Sequence, residues 1–130
     1  MHTAAALLFY LIFIILHAWR DSKEIAHGIW PDHFGGAVAA ILFAILLAFA
    51  CLGLRFTTLA FVLLLLSLRW IVFDLALNFI RGLPLSYIGL PDKNDAFLDT
   101  LLLEEPGLQY ILKGALLLFA VFLFMRSYRR

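Results

Sequence analysis

The residues best placed to do chemistry here are charged side chains set inside apolar sequence. His17, Asp21, Glu24, Arg69, Asp74, Asn78, Arg81 and Lys113 all lie in or beside long runs of Leu, Ile, Phe, Val and Ala. A charge in hydrocarbon costs about 2.5 to 3.5 kcal/mol on insertion scales, so each must face protein or water and find a partner. Acids and bases gathered in such a place can hold a proton, an ion or a small polar ligand, or dock a polar group of a partner. The densest stretch is Ser67 to Arg81. At about 100° per residue, Ser67, Asp74 and Arg81 each fall within about 20° of the next, with Asn78 about 40° from Asp74 and Arg69 about 140° away. His17, Asp21 and Glu24 are spaced four and three apart and share a helical face, with Arg20 and His27 on its flank. Buried pairs of this kind can also be purely structural, fixing register and helix orientation.

Other chemistries fit less well. A His followed by two acids on one helical face can ligate a metal, which makes His17, Asp21 and Glu24 the candidate ligands of a membrane-embedded metal-dependent enzyme. No His-x-x-x-His, His-Glu-x-x-His or paired-Cys spacing supports that reading, so no metal is expected. A b-type haem would use facing deep histidines, and only His17 is deep, so no cofactor is expected. Asp92-Lys93-Asn94-Asp95 begins like a calcium loop, but Phe97 stands where Gly is needed and Leu103 where Glu is needed. It reads instead as a helix cap. No Ser/His/Asp order, phosphate loop or redox Cys pair occurs, and the lone Cys51 is a small core residue.

The elements that position these groups must be membrane helices. The chain is 65% hydrophobic over 130 residues, with a mean hydropathy of +1.00, whereas a soluble domain is about 45–50% apolar. So small a chain cannot bury that much apolar surface within itself, and the lipid bilayer is its expected partner. A net charge of +1 and the lack of a basic, aromatic-interleaved segment give no reason to expect nucleic acid.

Four spans are expected, about 3–27, 35–54, 57–80 and 108–125, in one integral membrane domain over 1–130. The first lacks a preceding Lys or Arg and a small-residue cleavage site, so it reads as a retained span and not a signal peptide. Gly28 and Pro31 stop it. Asp32 can cap the second, an uncharged helix whose Ala37, Ala40, Ala44, Ala48 and Cys51 form a small-residue packing stripe. The third ends at Arg81-Gly82 before Pro84. A short interfacial helix is expected over about 95–105, with Phe97, Leu98, Leu101 and Leu102 along one side. Trp19, Trp30, Tyr87 and Tyr110 near span ends form an aromatic belt.

Four spans put both termini on one side, with Arg55, Arg126, Arg129 and Arg130 and no acid. The positive-inside rule makes that side cytoplasmic, in the cell's inner membrane. The ionisable residues of the spans then fall in the non-cytoplasmic half, at matching depths on the first, third and fourth helices.

The pattern Arg69-Trp70-x-x-Phe73-Asp74-x-x-x-Asn78-x-x-Arg81-Gly82, followed by Tyr87-Ile88-Gly89 and an acidic loop, resembles small four-span membrane proteins of bacteria and phages that have no assigned function. The resemblance covers the third span and the loop after it, and it implies no activity. The expectation is therefore an all-α, polytopic membrane four-helix bundle. It would bind a small ligand, ion or proton for transport, or dock a partner, through Asp74, Arg69, Asn78 and Arg81 with Asp21, Glu24, His17 and Lys113. A chain this small would work as a homo-oligomer or as an accessory subunit of a membrane complex. The other classes considered are the metal-dependent enzyme and a phage-type holin or other pore former.

Overall fold

A computed structural model describes residues 2–29, 31–53, 55–87 and 106–129. Four helices account for most of them: α1 (Thr3–Ala26), α2 (His33–Leu52), α3 (Phe56–Ile80) and α4 (Pro106–Tyr128). Each contains a segment long and apolar enough to cross a membrane. The interfacial helix expected over about 95–105 lies outside the described residues.

Local chemistry sets the helix ends. In α1 and α3 the stop is a glycine with positive φ, Gly28 at 71° and Gly82 at 67°. Gly28 N–H donates to Ile25 C=O and Ile29 N–H to Glu24 C=O, while Gly82 N–H donates to Phe79 C=O and Leu83 N–H to Asn78 C=O. Both are the paired closing bonds of a Schellman motif, which satisfy carbonyls the helix would otherwise leave open. Asp32 caps α2 by accepting from Gly35 N–H at 2.9 Å. Thr58 closes the turn before α3, donating through Oγ1 to Gly53 C=O at 2.6 Å and accepting from Arg55 N–H at 3.3 Å. The fourth helix is longer at both ends than its apolar run. Pro106 starts it, since a fixed φ suits the first helical position, and it continues through Arg126, whose cation favours a helix C-terminus.

Short turns make α1, α2 and α3 alternate in direction. Thr57 Oγ1 donates to Ser127 C=O at 3.1 Å, which sets the start of α3 against the end of α4. Among the described residues, α3 packs against all three other helices, α1 also packs against α2, and α4 packs against α3 alone. The core joins Ala6, Tyr10 and Ile14 of α1, Ala44, Leu47 and Ala48 of α2, Phe61, Leu64 and Leu65 of α3, and Ala120 of α4. Small residues at three- and four-residue spacing let the backbones approach closely. Ala40, Ala44 and Ala48 are buried, whereas Ala37 is exposed and Gly36 takes the contact at that end. Outside the core, Leu8, Ile12, Leu46, Leu59, Ile111 and Leu118 point outward. Such an apolar exterior is stable in lipid and costly in water.

Candidate functional site

The first polar centre is built around His17. Its stripe on α1 runs from Ala6 through Tyr10 and Ile14 to His17 and Asp21, all buried, so the helical period that makes the core also carries these two polar side chains inward. The imidazole lies against Phe13, with centroids 5.8 Å apart, and edge-on to Phe73 of α3 at 5.4 Å. On α2 it meets Gly36, where an added Cβ would overlap the ring. A glycine there is what allows α2 to close over His17.

Charged groups surround the ring. Arg20 donates to Asp21 Oδ1 from Nε at 3.2 Å and from Nη2 at 2.9 Å, and its Nε lies 3.4 Å from Glu24 Oε1. Arg20 Nη2 also stands 3.0 Å from His17 Nε2, and Arg69 Nη1 from α3 stands 3.3 Å from His17 Nδ1. A guanidinium only donates, and a neutral imidazole has one lone pair, so both cannot donate to the ring. Asp21 Oδ1 is the acceptor beside the ring. It lies 3.5 Å from Nε2, so a ring proton on Nε2 would face the carboxylate and leave Nδ1 to accept from Arg69. Arg20 is then held by its two bonds to Asp21. Arg69 also sits over the Phe73 ring, 4.7 Å from its centroid, a favourable cation–π placement.

The second centre joins α3 to α4. Lys113 donates from Nζ to Asp74 Oδ2, with the lysine side chain almost fully buried and the aspartate one third exposed. The ammonium lies 5.4 Å from the ring centroids of both Trp70 and Tyr110. One carboxylate and two aromatic faces thus enclose it, which is how a cation is held where water is scarce. Arg69 stands between the two centres, within electrostatic reach of Asp21 on one side and Asp74 on the other.

The remaining candidates have other surroundings. Asn78 donates from Nδ2 to Leu85 C=O at 3.1 Å and to Tyr87 C=O at 2.7 Å, and Tyr110 hydroxyl donates to Leu85 C=O at 2.7 Å. These bonds tie the segment after α3 to both α3 and α4. Ser67 donates within its own helix to Leu63 C=O at 2.7 Å, and Arg81 is the exposed C-cap of α3. The stripe Ser67–Asp74–Arg81 therefore does three different things. His17, Asp21 and Glu24 are interleaved with Arg20, and among the described residues no three His, Cys, Asp or Glu side chains are grouped to hold a metal ion.

Beside His17 a half-open cleft of about 290 Å³ separates α1 from α2, bordered by Phe13, His17, Arg20, Asp32, Gly35 and Gly36. Sequence reasoning placed no site residue on α2 and set Arg20 aside on the flank. The adjacent pair Gly35-Gly36 was the available signal, because two glycines in an apolar span suit a close approach. Tyr110, read as a belt residue, proves to be a wall around Lys113, as does Trp70. No protein-family model matches the chain, and comparison with curated proteins and with solved structures finds no match to it.

Proposed function

We propose that the chain is a multi-pass membrane protein, a four-helix bundle, in which His17 takes up and releases a proton at the cleft between α1 and α2. The observation that carries this reading is the placement of His17: buried within a span, bordering a cleft, with Asp21 at one ring nitrogen and Arg69 at the other. Histidine is the side chain whose ordinary titration lies nearest neutral pH. The charged groups facing it are Asp21, Arg20 and Glu24 from α1 and Arg69 from α3, with Asp32 across the cleft.

A proton taken up by the ring binds the Nδ1 lone pair, and the new N–H faces a guanidinium that can only donate. Arg69 must give up that contact, while Nε2–H keeps its place opposite Asp21. The nearest carboxylate for Arg69 on its own helix is Asp74, which already holds Lys113. Protonation of His17 would thus be felt at the α3–α4 ion pair. Losing the proton reverses the sequence. The positive residues Arg55, Arg126 and Arg129 favour an orientation with both termini in the cytoplasm.

The test is nitrogen NMR of imidazole-labelled protein, with His17→Gln assigning the signal against His2, His27 and His33. His17 should show the Nε2–H tautomer at pH 8 and convert reversibly to imidazolium on acidification to about pH 4. Arg69→Gln should release the tautomer preference, and Arg69→Lys should retain part of it. A His17 signal that stays the same from pH 8 to pH 4, or is indifferent to Arg69→Gln, defeats the reading.

A further inference from the structure

At the opposite end of the helices from His17, the ends of α2, α3 and α4 enclose a cleft of about 960 Å³. Leu52, Phe56, Leu123 and Tyr128 line it together with Arg55 and Arg126. The hydroxyls of Thr57 and Ser127, which also border it, are committed to backbone carbonyls. The guanidiniums, with the Tyr128 hydroxyl, are the polar groups that can meet something entering the cleft.

Among the described residues no acid pairs with them. No Asp or Glu occurs before Asp21, between Asp32 and Asp74, or after Glu105. Along α3 the nearest acid to Phe56 is Asp74, about 27 Å away at 1.5 Å per residue, and along α1 Asp21 is about 27 Å from Thr3. Arg55, Arg126 and Arg129 are exposed, and no ion pair involves them among the described residues. These guanidiniums are open to an anion from outside.

We infer that the cleft binds an anionic phospholipid, with its phosphodiester between Arg55 and Arg126 and the upper acyl chain against Leu52, Phe56 and Leu123. Three features favour a lipid over a soluble anion. The cleft lies at the ends of segments long enough to span the bilayer, which is headgroup level. Leu52, Phe56 and Leu123 give it apolar lining beside the guanidiniums. Its volume lies near the upper end of the roughly 300–1,000 Å³ range of ligand pockets, larger than a phosphate alone needs. Guanidinium forks match phosphate oxygens. This inference is independent of the proton site, since the two share no residue.

The test uses the full chain in mild detergent, exposed to mixed micelles of phosphatidylglycerol and phosphatidylcholine with identical acyl chains, with retained lipid counted by native mass spectrometry. Phosphatidylglycerol should be retained preferentially at low salt. Arg55→Gln and Arg126→Gln should each lower that preference roughly fivefold, and the double variant about thirtyfold. Arg55→Lys/Arg126→Lys keeps the charge and should keep part of the preference, which decides the matter if the glutamine variant loses helicity by circular dichroism. Equal retention of the two lipids by the wild type overturns the inference, as does a preference that survives the double glutamine change or vanishes in the lysine pair. Displacement of the lipid by excess glycerol phosphate would identify a soluble anion as ligand, and overturns it too.

Discussion

Lys113 of α4 and Asp74 of α3 form an ion pair whose members are unequally buried, the lysine side chain 5% exposed and the aspartate 33%. The asymmetry fixes what each loss would cost. Asp74→Ala leaves a buried ammonium between Trp70 and Tyr110 with no carboxylate, and should destabilise the protein by about 3 kcal/mol, at the lower end of the range for a broken buried pair because Asp74 is partly wet. Asp74→Asn retains an oxygen acceptor and should cost less. Asp74→Leu/Lys113→Leu removes both charges and should be milder than Asp74→Ala alone. Thermal unfolding in detergent measures all three, and an unchanged midpoint for Asp74→Ala would rule out the pairing.

Gly36 tests the closure of α2 over His17. The Cβ of Gly36→Ala would overlap the imidazole, so the helices must part or the ring must turn, at about 1–3 kcal/mol. The two positions are in contact, so their effects should not add. Gly36→Ala/His17→Ala should be less destabilised than the sum of the single changes, and additivity would place the ring elsewhere.

Asn78 is a latch for the segment after α3, since its one amide nitrogen serves Leu85 and Tyr87 carbonyls. Asn78→Ala should cost about 1–2 kcal/mol and speed hydrogen exchange locally at residues 83–87, with little change in α1. Asn78→Asp replaces the donor by an acceptor facing two carbonyls and should be worse. Exchange that rises uniformly along the chain would argue against a local latch.

Tyr10 hydroxyl donates to Ala40 C=O at 3.2 Å across the buried face between α1 and α2. Interhelical hydrogen bonds in membrane proteins average about 0.6 kcal/mol. Tyr10→Phe should therefore lower stability only slightly, whereas Tyr10→Ala also empties a core site and should cost about 3–5 kcal/mol. A large effect of Tyr10→Phe on unfolding would mean the hydroxyl has a further partner.

Much of this protein is readable from residue order because the bilayer imposes strong local rules. Twenty or so apolar residues must form a helix, since hydrocarbon offers no partner for open peptide groups. Gly28, Asp32 and Gly82 mark their boundaries by chemistry that acts over three or four residues. The same rules made His17, Arg69, Asp74 and Lys113 conspicuous, because a charge in an apolar run needs an explanation wherever the fold puts it.

What periodicity could not supply was the pairing. A helical wheel assigns a direction to each side chain, but which helix stands in that direction depends on packing. Ser67, Asp74 and Arg81 share a stripe in sequence, yet one bonds its own helix, one holds Lys113 and one caps the helix end. Arg69, off that stripe, reaches His17 because α3 lies against α1, and Gly36 becomes part of the site only because α2 closes over the ring. The sequence alone determined four membrane-length helices and the charges they must carry. The tertiary structure decided that those charges divide into a His17 centre and a Lys113 centre joined by Arg69, because distances between helices are set by side chains far apart in the chain.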